Sequence, residues 1–389
     1  MKQTLKNIYH LFLAVLANVW YGFPSQKIKV VGVTGTDGKT TTTHLLYHIL
    51  TTSGKKVAML STIYAKVGGK EYDTGFHVTT PDSFLVQKLL RLAVQHGDEY
   101  FILETTSHAI DQNRVWGIRF DVSVLTNITH EHLDYHKTIA RYAQAKWRLL
   151  QGARIALFNN DDEVTRDYAI HHKIQQAKTY GLVHRADYRH DFRHELSNLA
   201  RFNAYNYLGA YAVCRELGLT SKEIRLAFLT FTLPAGRIDI VYSKKFMVIV
   251  DFAHTPNGIY RILETVKKLY IHKKGRLIHV FGSAGLRDHT KRAAMGKASA
   301  RFATISIITE EDYRTEDPQK IADEIGEGFG KRKYLVQLDR EKAIHHALSL
   351  AKKNDVIVIT GKGHEKSLCR GKTEYPWSDR ECVQKYVSI

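Results

Sequence analysis

Residues 30–43 of this 389-residue chain combine the residue types that bind phosphate groups. Their sequence, VVGVTGTDGKTTTT, joins an apolar run to a glycine-rich turn, and a Lys-Thr pair then opens a segment with helical spacing. Glycines let backbone N–H groups approach phosphate oxygens, and the N-terminus of the following helix adds positive potential. We therefore predict a nucleotide-binding loop whose ligand is ATP, in which Lys39 reaches the terminal phosphates and the Thr40 hydroxyl binds Mg²⁺. The residues of this loop that we assign to the nucleotide are Gly35, Thr36, Asp37, Gly38, Lys39, Thr40 and Thr41.

The loop departs at one position from the strict spacing of the phosphate-binding motif. That spacing needs a glycine where the chain has Val33. The alternative interpretation is a glycine turn followed by a chance Lys-Thr pair. The apolar strand before the loop and the helical segment after it favour the nucleotide-binding loop.

Two polar segments follow other apolar strands. Glu104 comes directly after the apolar run at residues 100–103, where a carboxylate beside a phosphate loop can bind magnesium; the alternative is a solvated residue at the end of a strand. Residues 126–136 contain three histidines and two acids, but they lack the helical ligand spacing of a zinc site, and no cysteine is near. We therefore predict a magnesium-linked role for His132.

Polar groups in the second half of the chain suit a phosphorylated ligand and an amino acid. Arg237 lies at a predicted joint between domains, where an arginine can reach the γ-phosphate of ATP, and His254 follows a predicted strand. Three arginines beyond predicted parallel strands suit carboxylates, and Glu365 suits an amine. These arginines are Arg287, Arg292 and Arg314.

The elements that must position these residues indicate an α/β fold. Apolar strands alternate with helical stretches up to about residue 233, and Pro234 and Gly236 interrupt this pattern. The predicted strands are 29–33, 57–60, 100–103, 122–126 and 155–158, then 247–251, 277–281, 304–308 and 356–360. The predicted helices are 83–95, 139–150, 204–217 and 256–269. We predict an apolar helical segment (1–26), a central P-loop ATPase domain with a mostly parallel sheet (27–235) and a C-terminal Rossmann-like α/β domain (236–389).

Composition and the N-terminal segment limit the class of protein. The content of 44% hydrophobic and 25% charged residues is typical of a soluble globular protein, and three scattered cysteines fit a reducing compartment. The net charge of +18 is compatible with nucleic-acid binding, but no basic tail or RNA-binding signature is present, and we expect no nucleic-acid partner. Residues 11–23 are apolar but too few to span a bilayer, which needs about 20 residues. We expect a cytoplasmic monomer whose N-terminal helix docks on the first domain, with peripheral membrane contact as the alternative.

The ordered motifs of the chain resemble those of the Mur ligases of peptidoglycan synthesis, most closely the MurE type. The resemblance covers about residues 28–380. The matching segments are GVTGTDGKTTT, TTPDSF, ETTSHAIDQNRVWGIRFD, TNITHEHLDYH, AKWRLL, FNAYN, DFAHTP and GKGHE. The resemblance implies an amide ligase that uses ATP and Mg²⁺. The acceptor carboxylate becomes an acyl-phosphate, and the amine of an amino acid then displaces the phosphate.

The resemblance also assigns roles to individual residues. It implies that Lys146, by itself an ordinary helical lysine, carries a carbamate that supports magnesium. The implied catalytic residues are Lys39, Glu104, His132, Lys146 and Arg237, and the implied magnesium ligands are Thr40, Glu104, His132 and the carbamate of Lys146. The implied nucleotide contacts outside the loop are Asn206, Arg237, Asp251 and His254. The implied contacts to a muramyl-peptide acceptor are Thr79, Thr80, Ser107, Gln112 and Arg114. Two of them, Gln112 and Arg114, lie in a polar run (111–114) that suits an anionic substrate. The implied amino-acid contacts are Arg287, Arg292, Glu311, Asp312, Arg314, Gly361 and Glu365.

Two departures from the MurE pattern bear on the substrates. Members of that type carry a UDP-binding domain before the phosphate loop, whereas a short apolar segment precedes it here, which leaves a lipid-linked or altered acceptor open. The sequence Glu-Asp-Tyr-Arg at 311–314 replaces the diaminopimelate-type signature Asp-Asn-Pro-Arg. Because Arg314 is kept, we expect meso-diaminopimelate, with lysine as the alternative. The sequence is also compatible with a folylpolyglutamate- or cyanophycin-type ligase, a nucleic-acid-binding ATPase or a non-catalytic scaffold.

Overall fold

The computed structural model describes residues 2–75, 79–192, 196, 201–271 and 275–387. The chain forms two compact units. Unit 1 consists of Met1–Thr129 and His136–Thr232, and unit 2 of His130–Tyr135 and Leu233–Ile389. Both contain large, mostly parallel sheets covered by helices, so the predicted α/β class is confirmed.

Unit 1 is built on a sheet of eight strands within the described residues. The strands are β1 (Lys29–Thr34), β2 (Val57–Leu60), β3 (Ala65–Val67), β4 (Lys70–Tyr72), β5 (Tyr100–Glu104), β6 (Phe120–Leu125), β7 (Ala153–Asn159) and β8 (Ala177–Tyr180). Their order is β4-β3-β2-β5-β1-β6-β7-β8. β1 pairs in parallel with both β5 and β6, while β3 and β4 form an antiparallel edge. The carboxyl ends of β1, β5 and β6 therefore meet at one edge of the sheet.

Helices cover both faces of this sheet. Successive residues of a strand point to opposite faces, so Val30 joins one apolar cluster while Val31 joins another, and Phe101 and Ile102 divide in the same way. Such two-sided burial explains the near-continuous apolar runs of β1 and β5. The helices of unit 1 are α1 (Lys2–Tyr21), α2 (Lys39–Thr52), α3 (Ser83–His96), α4 (Ser107–Asp111), α6 (Ile139–Gln151), α7 (Glu163–His171), α8 (Arg201–Glu216) and α9 (Ser221–Thr230). The first three residues of the short helix α5 (Leu133–His136) belong to unit 2.

Unit 2 contains a six-stranded sheet and a separate hairpin in the part of the chain that is described. The sheet strands are β9 (Asp239–Ser243), β10 (Met247–Asp251), β11 (Leu277–Phe281), β12 (Ile305–Ile308), β13 (Leu335–Val336) and β14 (Val356–Thr360). Their order is β13-β12-β11-β14-β10-β9, with only β9 antiparallel to its neighbour. The hairpin consists of β15 (Ser367–Arg370) and β16 (Thr373–Pro376). The helices are α10 (Pro256–Leu269), α11 (Arg292–Phe302), α12 (Pro318–Gly326), α13 (Arg340–Leu350) and α14 (Asp379–Val387).

The N-terminal segment forms the predicted docked helix. α1 packs against α3 of unit 1, and Asn18 on α1 accepts a hydrogen bond from the side chain of Gln87 on α3 at 3.2 Å. No helix among the described residues is both long enough and apolar enough to cross a membrane.

Candidate active site

The glycine-rich loop joins β1 to α2. The Nζ of Lys39 folds back over the loop and donates to the carbonyl oxygens of Gly35 at 3.1 Å and Thr36 at 2.9 Å. Gly38 adopts a left-handed backbone (φ 85°), and a Cβ there would lie 2.2 Å from Oδ1 of Asn206. Both the backbone conformation and the close approach therefore require glycine. Asn206, which we predict to contact the nucleotide, lies against this loop.

The segment after β6 holds the loop in shape. The amide of Asn127 accepts from the backbone N–H of Asp37 at 2.9 Å and donates to its carbonyl oxygen at 3.0 Å. The hydroxyl of Thr126 donates to the same carbonyl at 2.7 Å, and the backbone N–H of Thr36 donates to the carbonyl of Asn127 at 2.9 Å. Sequence reasoning missed Asn127, although its place in a polar segment after an apolar strand was visible.

A buried carboxylate lies beside the first turn of α2. Glu104, at the end of β5, accepts from the hydroxyl of Thr40 at 2.9 Å and from the hydroxyl and backbone N–H of Thr62 at 2.8 and 2.9 Å. Thr40 and Glu104 are both buried. A carboxylate and a hydroxyl oxygen beside a phosphate loop are hard oxygen donors of the kind that Mg²⁺ binds, so these residues fit the predicted ion. Thr62, which sequence reasoning missed, orients the carboxylate.

Lys146 on α6 also reaches the loop. Its Nζ donates to the carbonyl oxygen of Gly35 at 2.6 Å and lies 4.5 Å from the ring centroid of Tyr142. The side chain is buried, and burial, followed by the positive charge of Lys39, holds the pKa of the Lys146 amine well below its usual range. A neutral amine is the nucleophilic form of lysine, and only this form reacts with CO₂ to give a carbamate.

The residues predicted to bind an acceptor lie on neighbouring segments of unit 1. The hydroxyl of Thr80 donates to the backbone carbonyl of Glu104 at 3.0 Å, and the guanidinium of Arg114 donates to the Thr80 carbonyl at 3.0 Å and to the side-chain oxygen of Gln112. The structure thus brings Thr80, Gln112 and Arg114 into one hydrogen-bonded group beside β5.

The remaining two predicted acceptor residues lie close to other residues of unit 1. The hydroxyl oxygen of Thr79 lies 3.1 Å from the hydroxyl oxygen of Thr62, which connects it to the residue that orients Glu104. The hydroxyl of Ser107, at the start of α4, lies 3.0 Å from Nε2 of His136.

Unit 2 holds a cluster of aromatic and cationic side chains after β10. The guanidinium of Arg237 lies 4.6 Å from the ring centroid of Phe252. The ring centroids of His254 and His364 lie 4.8 and 5.0 Å from the same centroid. The carboxylate of Asp251 accepts from the backbone N–H groups of Ile238 at 2.8 Å and Ala253 at 2.8 Å. Asp251 therefore shapes the turns that carry Arg237 and His254.

A buried charge network follows β12 and β14. Nζ of Lys362 donates to Asp312 at 2.8 Å and also pairs with Glu365, and the Asp312 carboxylate accepts from the backbone N–H of Cys369 at 2.9 Å. Sequence reasoning named the two acids and missed Lys362, which lies between Gly361 and Gly363 in the GKGHE motif.

Glu311 is buried beside this network. Burial, reinforced by the charge of Asp312, raises the pKa of Glu311 to about 7. Its Oε2 makes no hydrogen bond to the described residues, and a Cβ at Gly361 would lie 2.6 Å from that oxygen. The glycine at 361 therefore leaves room directly beside a carboxylate oxygen.

The three arginines of the predicted carboxylate site differ in their surroundings. Arg292 is fully buried and donates to Glu316 and Glu324, at 2.7 Å to each. Arg314, in a left-handed conformation (φ 53°), is half-buried and donates to the backbone carbonyl of Gly285 at 2.8 Å. Arg287 is exposed. Arg314 and Arg287 retain access to a ligand, whereas the guanidinium of Arg292 is engaged inside the protein.

His132 belongs to the short segment His130–Tyr135 of unit 2 and has a left-handed backbone (φ 56°). The residue before it, Glu131, forms a buried ion pair with Lys291 at 3.1 Å, which anchors the segment. Within the described ranges, no group of three or more histidine, cysteine and acidic side chains is arranged to hold a metal ion.

Comparison with known proteins places both halves of the chain in one family. Residues 33–214 match the Mur ligase middle domain, and residues 236–363 match the Mur ligase, glutamate ligase domain. The chain is 37% identical over 401 aligned residues to the UDP-N-acetylmuramoyl-L-alanyl-D-glutamate--2,6-diaminopimelate ligase of Clostridium botulinum, covering 96% of this chain and 81% of that protein. The protein of the same name from Aquifex aeolicus is 36% identical, covering 95% and 80%.

Solved structures agree at the level of the fold. A structure of a UDP-N-acetylmuramoyl-L-alanyl-D-glutamate--2,6-diaminopimelate ligase matches with a TM-score of 0.59 and 27% identity, covering 93% of this chain and 78% of that one. The folylpolyglutamate synthase of Mycobacterium tuberculosis, complexed with ADP and AMPPCP, matches with a TM-score of 0.72 and 18% identity, covering 90% of this chain and 92% of that one.

Proposed function

The chain belongs to the Mur ligase family of ATP-dependent ligases, and from this premise we propose that it adds meso-diaminopimelate to UDP-N-acetylmuramoyl-L-alanyl-D-glutamate in peptidoglycan precursor synthesis. The observation that carries the proposal is the convergence of Lys39, Thr40, Glu104 and Lys146 on one phosphate loop, within a chain 37% identical to a ligase of that name.

The proposed reaction has two steps. The acceptor carboxylate attacks the γ-phosphorus of ATP, so that an acyl-phosphate forms and ADP leaves. The amine of the amino acid then attacks the acyl carbon, loses a proton and expels inorganic phosphate, which leaves an amide. A carboxylate is a poor electrophile until its oxygen becomes part of a phosphate leaving group, so the first step makes the second one feasible.

Unit 1 supplies the groups that bind ATP in this proposal. The ammonium group of Lys39 donates to neutral carbonyl oxygens of the loop. In this proposal the same group turns toward the β- and γ-phosphates when ATP binds. Thr40 and Glu104 would hold Mg²⁺, which would neutralise charge on the phosphates. Asn206 contacts the nucleotide from α8, and the nucleotide contacts that the resemblance implies for Arg237, Asp251 and His254 belong to the same proposal.

Lys146 acts as an anion in this proposal. Its buried, neutral amine reacts with CO₂ to form a carbamate and releases a proton, which converts a side chain that would repel magnesium into one that supports it. The neighbouring Lys39 favours this conversion, because a cation beside Lys146 destabilises its ammonium form and stabilises its carbamate.

The amino acid binds to the loops after β11, β12 and β14 in this proposal. Arg314 pairs with the distal carboxylate of diaminopimelate, the exposed Arg287 offers a second cation, and Glu365 and Glu311 receive an ammonium group. Arg292 holds the loop that carries Glu316, since its guanidinium is already paired. We further propose that the enzyme is cytoplasmic, since its proposed substrates are soluble nucleotides and amino acids, and that it is a monomer. We propose no nucleic-acid partner, since the sequence has no basic tail or RNA-binding signature.

The decisive experiment measures phosphate release from ATP with UDP-N-acetylmuramoyl-L-alanyl-D-glutamate and with diaminopimelate, lysine or no amino acid. Release that depends on diaminopimelate is the expected result. A preference for lysine would keep the ligase and remove the role of Arg314. A panel that adds folate-type acceptors tests the folylpolyglutamate-type ligase, and absence of release with every acceptor and amino acid would overturn the proposal.

A further inference from the structure

The helix α1 exposes a continuous apolar face. Seven large hydrophobic side chains recur at the spacing of one side of a helix, and their exposed fractions run from 41% for Leu16 to 78% for Trp20. These side chains are Leu5, Ile8, Tyr9, Phe12, Leu16, Val19 and Trp20. Scattered exposed hydrophobics are ordinary in soluble proteins, but a contiguous stripe of this length marks an interaction surface.

The opposite face of α1 holds the helix on unit 1 with small and polar side chains. Ala14 and Ala17 are fully buried and permit a close approach. Asn18, also buried, donates to the backbone carbonyl of Trp116 at 2.8 Å and accepts from Gln87 at 3.2 Å. The large apolar residues of the stripe are therefore not what attaches α1 to the protein, because they point to the side that unit 1 leaves uncovered.

Charge selects the kind of partner that this face suits. Residues 1–27 contain three lysines and no acidic residue, and Lys6 is exposed beside the apolar stripe. The whole chain carries a net charge of +18. A second copy of the chain carries the same charge and is repelled, whereas anionic lipid headgroups are attracted. Tyr9 and Trp20 are also residue types that favour the boundary between headgroups and acyl chains.

We propose that α1 binds the surface of a membrane containing anionic lipids, with its apolar stripe inserted at the headgroup boundary and unit 1 held against the membrane by the other face. In this proposal the helix lies in the plane of the membrane, because its apolar side chains are confined to one stripe while the other face packs on unit 1. This attachment is independent of the ligase activity, because α1 carries none of the residues assigned to ATP, the acceptor or the amino acid.

The test is co-sedimentation of the full-length protein with vesicles of phosphatidylcholine alone and of phosphatidylcholine mixed with phosphatidylglycerol. The wild type should bind the mixed vesicles, more weakly as NaCl is raised, and should bind neutral vesicles poorly. The double variant Phe12→Glu/Trp20→Glu should lose about tenfold or more in binding, because it places charge in the inserted stripe.

A matched control carries the same change on another surface. Leu226 and Leu229 on α9 are 55% and 65% exposed, and the variant Leu226→Glu/Leu229→Glu should bind vesicles as the wild type does. The thermal unfolding midpoint and ATP hydrolysis without vesicles should be the same for all three proteins, which separates lost binding from lost folding.

Three results would overturn the proposal. One is failure of the wild type to bind mixed vesicles. Another is equal loss of binding in the α1 and α9 variants. The third is a dimer, measured by light scattering without lipid, that Phe12→Glu/Trp20→Glu dissociates, since the stripe would then be an interface between copies of the chain.

Discussion

The hydroxyl of Thr40 donates to Oε1 of Glu104 at 2.9 Å, which links the first turn of α2 to the end of β5. Oε2 of the same carboxylate accepts from the backbone N–H of Thr62 at 2.9 Å, so both oxygens are fixed before any ligand arrives. A carboxylate that is held in place need not be ordered when the ion binds, and this pre-organisation favours the bound state.

Glu104→Gln should weaken magnesium activation of ATP hydrolysis. The amide keeps the shape of the side chain but removes the negative charge that attracts the cation. We expect the Mg²⁺ concentration for half-maximal activity to rise about tenfold or more, measured by titration at fixed ATP. Glu99→Gln, at the exposed residue just before β5, is the control and should leave the titration unchanged.

Lys146→Met should strongly reduce ligation while leaving the fold intact. Methionine fills the buried volume but can form neither a carbamate nor a hydrogen bond to Gly35. We expect a fall of about a hundredfold or more in kcat, comparable to losing one group that stabilises developing charge. Bicarbonate should stimulate the wild type after CO₂ is removed and should not stimulate Lys146→Met. Equal stimulation of both proteins would contradict the carbamate.

Glu311→Gln should stabilise the protein at high pH. The pKa of Glu311 is raised from 4.5 to about 7 in the folded state. Between these pH values the Glu311 carboxyl is protonated in the folded protein and ionised in the unfolded one. The stability of the folded protein therefore falls as pH rises through this window. The variant should gain up to about 3 kcal/mol at pH 8 and nothing near pH 4. Urea unfolding at several pH values measures the gain, and Glu327→Gln, at an exposed glutamate, should show none.

Asp379→Ala should destabilise unit 2. Asp379 and Arg340 form a fully buried ion pair, with two contacts of 2.7 Å, and Arg340 also donates to the carbonyl oxygens of Glu310 and Thr360. Loss of one partner leaves a buried charge unpaired, at a cost of about 3–5 kcal/mol. Glu341→Ala, which breaks an exposed pair with Lys385, should cost less than about 1 kcal/mol in the same urea titration.

Arg314→Ala should discriminate between diamino acids. If Arg314 pairs with the distal carboxylate of diaminopimelate, KM for that amino acid should rise about tenfold or more, since a charge-assisted hydrogen bond is lost. KM for ATP should stay constant, because Arg314 lies in the loop after β12. An equal rise in KM for lysine, which has no distal carboxylate, would instead indicate a general loss of loop structure.

Sequence patterns predicted the elements with strong periodicity. Four strands, β2, β10, β11 and β14, have the predicted bounds, because each is an apolar run buried on both faces. Helix α10 also has its predicted bounds, since a threonine N-cap followed by proline marks its start. The antiparallel pieces β3, β4, β9, β15 and β16 were missed, because short edge strands alternate too few residues to give a period.

The candidate site was predictable where chemistry is carried by a local motif. Lys39 and Thr40 follow the loop after β1, Glu104 is the last residue of β5, and the neighbouring positions of these strands in the sheet bring Thr40 and Glu104 together. Thr62 and Lys362 were not predicted, because their roles depend on partners 42 and 50 residues away that only the fold brings into contact. The sequence likewise did not predict the ion pairs of Arg292 with Glu316 and Glu324, because only the fold brings these residues into contact.

The central position of β1 determines when the phosphate loop can form during protein synthesis. β1 is made first, but its two neighbours are β5 and β6, and the second of these ends at Leu125. Until the ribosome has synthesised residues up to Leu125, the apolar strand β1 lacks one or both of the strands that pair with it. Parallel pairing between strands that are far apart in the sequence is also intrinsically slow. The nucleotide loop therefore takes its final shape only after β6 has been made, and a nucleotide that binds the finished loop would stabilise unit 1 by mass action.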